Sequence, residues 1–176
     1  LFLQSHGVST AFAVKIFKTY GSDSIKIVKE NPYRLADDIW GIGFKTADKI
    51  AQNMGYDKES YARIRSGIMY ALNEFANDGH CFAKKDELVN KASELLGVEL
   101  EKVETAIQHM LEEKSVIMEE DDAVYLPPFY YSEVGVARRI REINETKSMY
   151  SFYNFDGIIE DLQRECNIQY DEVQIE

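Results

Sequence analysis

Two glycine-containing turns have the residue types and spacing to bind an anion. Gly41-Ile42-Gly43 and Gly7-Val8-Ser9 each precede a segment whose apolar residues follow helical spacing. A glycine lets backbone N–H groups at a helix N-terminus approach a phosphate without an intervening Cβ, and the helix dipole favours the negative charge. The expected chemistry is recognition of a phosphate backbone.

Side chains beside the turns extend this hypothesis. Lysines would add positive charge and Thr46 a hydroxyl donor, which gives an affinity that depends on salt and not on base sequence. Ser9 replaces the second glycine in the first copy, so that turn is the weaker candidate and could be a structural partner only. The predicted contacts are Gly41, Ile42, Gly43, Lys45, Thr46 and Lys49, followed by the weaker set Gly7, Val8, Ser9, Thr10 and Lys15.

The two turns belong to an internal duplication. A shift of 34 positions aligns Gly7 with Gly41 and Ala13 with Ala47. Each copy is predicted to be a pair of helices, with a connecting helix over residues 22–30. Two glycine turns that merely close helical hairpins remain an alternative, but two matching copies favour phosphate binding.

Charge is distributed unevenly along the chain. The formal net charge is -11, from 20 Lys and Arg against 31 Asp and Glu, which excludes a uniformly basic surface. Residues 1–58 carry 8 basic and 6 acidic side chains, a net +2, and the remainder carries a net -13. Any contact with nucleic acid is therefore expected to be local to the two turns.

The middle of the chain predicts a winged-helix-like unit. Apolar spacing over residues 59–128 indicates the order helix, strand, helix, helix, β-hairpin. A DNA-reading version would carry Lys or Arg on its last helix and wing, whereas this one carries Glu99, Glu101, Glu104, Glu112, Glu113 and the acidic wing, Glu119-Glu120-Asp121-Asp122. Protein docking, a spacer role or a merely solvated acidic face remain open for this unit.

The remaining residues, 129–176, predict a helical segment. One helix is expected from Tyr131 to Lys147, and another through Phe155 and Leu162. The first carries a basic cluster, Arg138, Arg139 and Arg141, that would contact nucleic acid or, slightly favoured, the acidic wing. The expected fold is mainly α, with domains at 1–58, 59–128 and 129–176.

Several kinds of site are not expected. Cys81, Cys166 and the three histidines show no disulfide framework and no metal-ligand spacing, and no nucleophile stands with a general base. No catalytic residue, metal site or cofactor is therefore predicted. The sequence has no targeting signal and no membrane-spanning run, which favours a location in the reducing cytoplasm. Its first residue is Leu1, which suggests that it is a piece of a longer protein.

Specific motifs resemble known families. Gly41-Ile42-Gly43 with Ala47 resembles the helix-hairpin-helix family. Asn31–Leu35, Gly41–Asp48, Gly79-His80 and Tyr125–Pro127, in this order, resemble the long-form RecD-like DNA helicases, relatives of the exodeoxyribonuclease V alpha subunit. The resemblance covers nearly the whole chain and implies the region before the helicase motor.

The resemblance implies a parent that is an ATP-dependent 5′-to-3′ DNA helicase in recombination and repair, with ATP and Mg²⁺ as cofactors. Gln174 would contact adenine in that parent. The implied partners are single-stranded or forked DNA, the motor domain and other repair proteins, with no membrane. No glycine stands directly before Lys-Ser or Lys-Thr, as it does in a phosphate-binding loop, so this fragment is not expected to hydrolyse ATP.

Two other functions are alternatives to DNA binding by a helicase region. The hairpins and the acidic middle could brace the motor or dock a protein without contacting DNA. A self-sufficient nuclease would need clustered metal-binding carboxylates, and the acidic runs show no such arrangement.

Overall fold

Two helical hairpins open the chain in the computed structural model, which describes residues 2–146 and 155–175. The first hairpin pairs α1 (Phe2–Ser5) with α2 (Thr10–Tyr20), and the second pairs α4 (Arg34–Asp38) with α5 (Phe44–Asn53). A 3₁₀ turn (Gly21–Asp23) and α3 (Ser24–Glu30) connect them. The duplicated pattern of helix pairs is thus confirmed.

Equivalent positions of the two copies form the core between the hairpins. Val8 and Ile42 are buried in the turns, and Ile16 and Ile50 are buried on the second helix of each pair. Burial of such apolar side chains is the main favourable contribution to folding, at roughly 1.5–3 kcal/mol each. The two hairpins therefore stabilise one another, as the matched apolar spacing of the copies requires.

The next part of the chain builds a small antiparallel sheet on three helices. Its elements are α6 (Tyr61–Asn77), β1 (Phe82–Lys84), α7 (Lys85–Leu96), α8 (Leu100–Glu112), β2 (Ile117–Met118) and β3 (Ala123–Tyr125). The central strand is β3, since Tyr125 lies opposite both Phe82 and Ile117. This is the element order that the sequence predicts, and we call residues 61–126 the winged-helix-like unit.

A buried ion pair fixes the second hairpin against this unit. The Arg63 Nε on α6 lies 2.8 Å from the Asp48 Oδ1 on α5, and both side chains are largely buried. Arg63 also donates to the backbone carbonyls of Lys58 and Leu96, at 2.8 and 2.9 Å. These bonds set the orientation of α5, whose N-terminus follows the second glycine turn.

The last described helices are α9 (Pro127–Glu145), α10 (Phe155–Cys166) and α11 (Glu172–Ile175). Helix α9 begins at Pro127, four residues before the predicted Tyr131, because a proline is tolerated in the first helical turn, where its missing N–H has no helical acceptor. The predicted helix end, Lys147, lies outside the described residues. Helix α10 confirms the predicted last amphipathic helix.

Residues 1–135 and 136–176 form two separate compact units. The predicted domain limits at 58 and 128 stay a prediction. In the ranges 2–146 and 155–175, no helix combines the length and apolar character needed to cross a lipid bilayer.

Candidate nucleic-acid interface

The second turn is a tight reversal that requires a glycine. The Ile42 N–H donates to the Ile39 carbonyl at 3.0 Å, and Gly41, the third residue of this turn, has φ +93°. Such a φ is readily available only to glycine. The Ile42 side chain is buried at 2% exposure and anchors the turn. The predicted Ile42 donor therefore needs correction, because the turn itself uses that N–H.

Free backbone donors follow directly after this turn. Within the described part of the chain, the N–H groups of Gly43, Phe44 and Lys45 have no acceptor, whereas the Thr46 N–H already donates to the Gly43 carbonyl. Gly43 has an ordinary φ of -91°, and a Cβ built on it would meet nothing within 4 Å. The fold thus does not require glycine at position 43. Its missing side chain leaves open space at the Cβ position of the first of these three residues.

The first turn uses more of its own donors. The Gly7 N–H donates to the Gln4 carbonyl and the Val8 N–H to the Leu3 carbonyl, each at 3.1 Å. This pair of bonds, with Gly7 at φ +86°, is the Schellman arrangement that closes a helix. The predicted donors Gly7 and Val8 are therefore occupied in the structure.

Ser9 takes up one further donor of the first copy. Its Oγ accepts from the Phe12 N–H at 3.2 Å and caps α2, and the Thr10 hydroxyl accepts from Gln4 Nε2 at 3.3 Å. A side-chain cap satisfies one of the N–H groups that a helix otherwise leaves unpaired. The N–H groups of Ser9, Thr10 and Ala11 nevertheless have no acceptor among the described residues, as in the second copy. The first copy differs by its bonded Gly7 N–H and by the Ser9 side chain at the start of α2.

Each hairpin braces the turn of the other. Lys15 Nζ on α2 donates to the Trp40 carbonyl at 3.2 Å, and Asn53 Nδ2 on α5 donates to the His6 carbonyl at 3.0 Å. His6 and Trp40 occupy equivalent positions of the duplication. Lys15 was predicted beside the first turn, but the packing of the hairpins places its ammonium at the second, 3.4 Å from where a Cβ on Gly41 would lie.

Two lysines of α5 extend this positive charge along the helix. Lys45 Nζ lies 5.3 Å from the centre of the Tyr70 ring, and its contact with the Tyr70 hydroxyl raises the pKa of the ammonium. Lys49 is exposed and has no carboxylate within ion-pair distance among the described residues. Thr46 is half-buried between them. Both lysines are therefore available to an anion at the second turn.

The acidic side chains of α4 and α5 do not cancel this charge, because each is paired with an arginine. The pairs are Asp37 with Arg65 at 3.6 Å, Asp38 with Arg34 at 3.2 Å and Asp48 with Arg63 at 2.8 Å. The lysines beside the second turn consequently keep their net positive charge.

Trp40 was not singled out by the sequence reasoning. It is 91% exposed at the tip of the second turn, and Lys15 Nζ lies 5.5 Å from the centre of its ring. A usable signal was present, since the one tryptophan of the chain directly precedes the glycine motif.

The remaining predicted positions lie apart from the hairpins in the sequence. On the acidic wing, Asp121 pairs with Lys84 at 2.7 Å, and within α9 both Arg138 and Arg139 pair with Glu142. The Gln174 Oε1 accepts from the Asp171 N–H at 3.0 Å at the start of α11. An adenine contact of Gln174 stays a prediction, as do the partners proposed for the wing and for the basic cluster.

Comparison with known protein families gives one match over this region. Residues 1–82 match the family model of the "ATP-dependent RecD2 DNA helicase HHH domain", where HHH denotes helix-hairpin-helix. The matched range contains both hairpins and the whole of α6. Over these residues it confirms the resemblance to RecD-like helicases found in the sequence.

Proposed function

We propose that this chain, whose residues 1–82 match the model of the RecD2 helicase helix-hairpin-helix domain, holds the backbone of DNA without reading its sequence. The observation that carries the proposal is the row of N–H groups on Gly43, Phe44 and Lys45, which have no acceptor among the described residues and stand at a helix N-terminus where the Cβ position of Gly43 is open. A phosphate oxygen is the acceptor that such a group of donors favours.

The second hairpin supplies the principal contact. A phosphate seated before α5 would accept hydrogen bonds from the free N–H groups, with Lys45, Lys49 and the Lys15 ammonium providing charge around it. These groups contact phosphate rather than base edges, and phosphate contacts position DNA without carrying sequence information. The affinity should therefore depend strongly on salt and little on base composition.

The first hairpin has a supporting role in this proposal. Its Gly7 and Val8 donors close α1, and its Ser9 hydroxyl caps α2. Through Lys15 it also holds the carbonyl of Trp40 in the second turn. Ser9 and Thr10 stay candidates for contact with a neighbouring phosphate, but the main energetic contribution is expected from the second hairpin, where Lys15 also lies.

The surrounding protein in this proposal is an ATP-dependent helicase that acts in recombination or repair. The sequence has no glycine directly before Lys-Ser or Lys-Thr, so the ATP and Mg²⁺ of such a helicase would bind elsewhere. This chain would supply a DNA grip, with the motor and other repair proteins as partners.

A second candidate is a brace that docks the motor without touching DNA. The acidic winged-helix-like unit favours it, because its excess of carboxylates would repel DNA. The two candidates differ in one measurable property, the salt dependence of DNA binding, which a pure brace would lack.

Fluorescence anisotropy with labelled single-stranded, duplex and forked oligonucleotides, over a salt series, tests the grip. We expect the double variant Lys45→Ala/Lys49→Ala to bind more weakly and to lower the slope of log K against log salt by about 1 to 2, since each lysine releases about one counterion from DNA. The matched control is Lys85→Ala/Lys91→Ala on α7, which removes the same charge and should leave that slope unchanged.

Circular dichroism establishes that both double variants keep their helices. Absence of salt-dependent binding by the unaltered chain to all three oligonucleotides would exclude the grip and favour the brace.

A further inference from the structure

Trp40 presents a large aromatic face to solvent at the tip of the second turn, and the fold does not account for it. The side chain is 91% exposed. At the equivalent position of the first copy, His6 is half-buried, and its Nδ1 lies 2.9 Å from the Phe2 carbonyl oxygen. The equivalent position of the first copy thus carries a side chain that folds back onto its own helix, whereas the Trp40 ring projects into solvent.

The backbone that carries Trp40 is rigidly held. Its carbonyl accepts from Lys15 Nζ, and the turn is closed by the bond from the Ile42 N–H to the Ile39 carbonyl. The Lys15 ammonium lies 5.5 Å from the ring centre, within the range of a cation–π contact. Because this backbone is fixed, only the side-chain torsions of Trp40 lose freedom when a flat partner packs on the ring.

The location of Trp40 relates it to the proposed phosphate site. Three peptide units separate Trp40 from Gly43, so their Cα atoms are at most about 11 Å apart. A nucleotide whose phosphate is held at the N-terminus of α5 therefore carries its base, or that of its neighbour, within reach of the indole ring.

We propose that Trp40 is a stacking platform for an unpaired base, which makes single-stranded DNA the preferred substrate of the second hairpin. This inference rests on the proposed backbone grip. Aromatic side chains beside a positively charged groove are the usual means of binding single strands, and stacking contributes about 5- to 100-fold in affinity per base, whatever the base. Bases inside a duplex stack on one another and do not offer a free face to the ring.

The intrinsic fluorescence of the intact chain tests this proposal directly, because Trp40 is its one tryptophan. The probes are a thymidine oligonucleotide, an abasic strand of equal length and charge, and a blunt duplex. We expect the thymidine strand to quench the indole emission and the other two to leave it nearly unchanged. Trp40→Ala should lower affinity for the thymidine strand about 5- to 100-fold and affinity for the abasic strand hardly at all.

Two further variants control for loss of the fold and for unspecific aromatic effects. Trp40→Phe keeps an aromatic face and should retain most of the affinity for the thymidine strand. Tyr131→Ala removes another ring, 66% exposed on α9, and should have no effect.

The outcomes separate this proposal from the one on which it rests. Equal binding of the thymidine and abasic strands, with unchanged emission, would overturn base stacking and leave the backbone grip intact. If neither strand binds at low salt, both proposals fail. Quenching by the thymidine strand that disappears when its bases are absent supports both.

Discussion

At the scale of single residues, Gly41 and Gly43 are glycines for different reasons. Gly41 has a left-handed φ that the turn needs, whereas Gly43 has an ordinary φ and open space in front of it. Gly43→Ser would reproduce the first copy, where the Ser9 Oγ caps α2. The new hydroxyl would bond to the Thr46 N–H and stand where we expect the phosphate.

We therefore expect Gly43→Ser to leave the stability of the chain unchanged or slightly raised, and to weaken single-strand binding about tenfold. A few tenths of a kcal/mol is the expected gain from a serine in place of glycine at this position. Gly41→Ala is the matched opposite, with an expected loss of about 1–2 kcal/mol of unfolding free energy from its left-handed backbone. Urea unfolding and anisotropy on both variants test this. Unchanged affinity in Gly43→Ser would contradict the role given to the open space.

The sequence allowed the turn glycines to be predicted because their roles are local. The Gly-apolar-Gly spacing involves neighbouring residues, and the duplication is visible when the sequence is aligned with itself. The bond from Lys15 to the Trp40 carbonyl joins residues 25 positions apart, so its existence depends on how the hairpins pack. For the same reason spacing assigned Lys15 to the wrong turn and gave no reason to single out Trp40.

At the scale of elements, the ion pair between Asp48 and Arg63 joins α5 to α6. Burial acts to raise the pKa of the Asp48 carboxyl, but hydrogen bonds from Arg63 and Tyr33 outweigh it and hold that pKa below its ordinary value. The native state therefore binds the proton less tightly than the unfolded chain does. The stabilisation is present above the ordinary carboxyl pKa, near 4, and is lost as pH falls through the lower native value.

From this linkage we expect Asp48→Asn to cost about 3 kcal/mol or more at pH 7, because it leaves a buried guanidinium without its counter-charge. The difference from the unaltered chain should shrink below about pH 4, where Asp48 becomes protonated in the unfolded chain, and should vanish as pH falls through the lower native pKa. Urea unfolding across pH 3 to 7 measures both effects. Asp37→Asn breaks an exposed pair instead and should cost less than about 1 kcal/mol. A loss in Asp48→Asn that is independent of pH would show that its charge is not the stabilising feature.

Apolar spacing predicted most elements of this chain, because the periodicity of an amphipathic helix or a short hairpin is visible in consecutive residues. The start of α9 was missed because Pro127 and Pro128 look like a break in sequence yet are compatible with a first helical turn. The register of the sheet, with β3 in the centre, depends on pairing between distant segments.

At the scale of the whole molecule, the excess of positive charge and the excess of negative charge lie in different parts of the chain. The hairpins keep unpaired lysines because their carboxylates are paired with arginines. The excess negative charge lies beyond residue 58, and it includes the acidic wing. A chain with a net charge of -11 can therefore hold DNA only through a restricted surface, and the rest of the molecule should repel it.

This repulsion makes the acidic wing a test of how DNA is oriented on the chain. In Glu119→Gln/Glu120→Gln/Asp122→Asn the wing loses three charges while Asp121 keeps its bond to Lys84. Asn at position 122 suits its φ of +60°, so the fold should be retained.

If the wing points away from bound DNA, single-strand affinity should rise by less than about tenfold at low salt. That gain should disappear near 0.5 M salt, because charges separated by more than a few ångströms are then screened. Anisotropy over the salt series measures it. A fall in affinity at any salt would instead mean that the wing itself contacts the strand, and the separation of a gripping hairpin from a repelling acidic unit would be wrong.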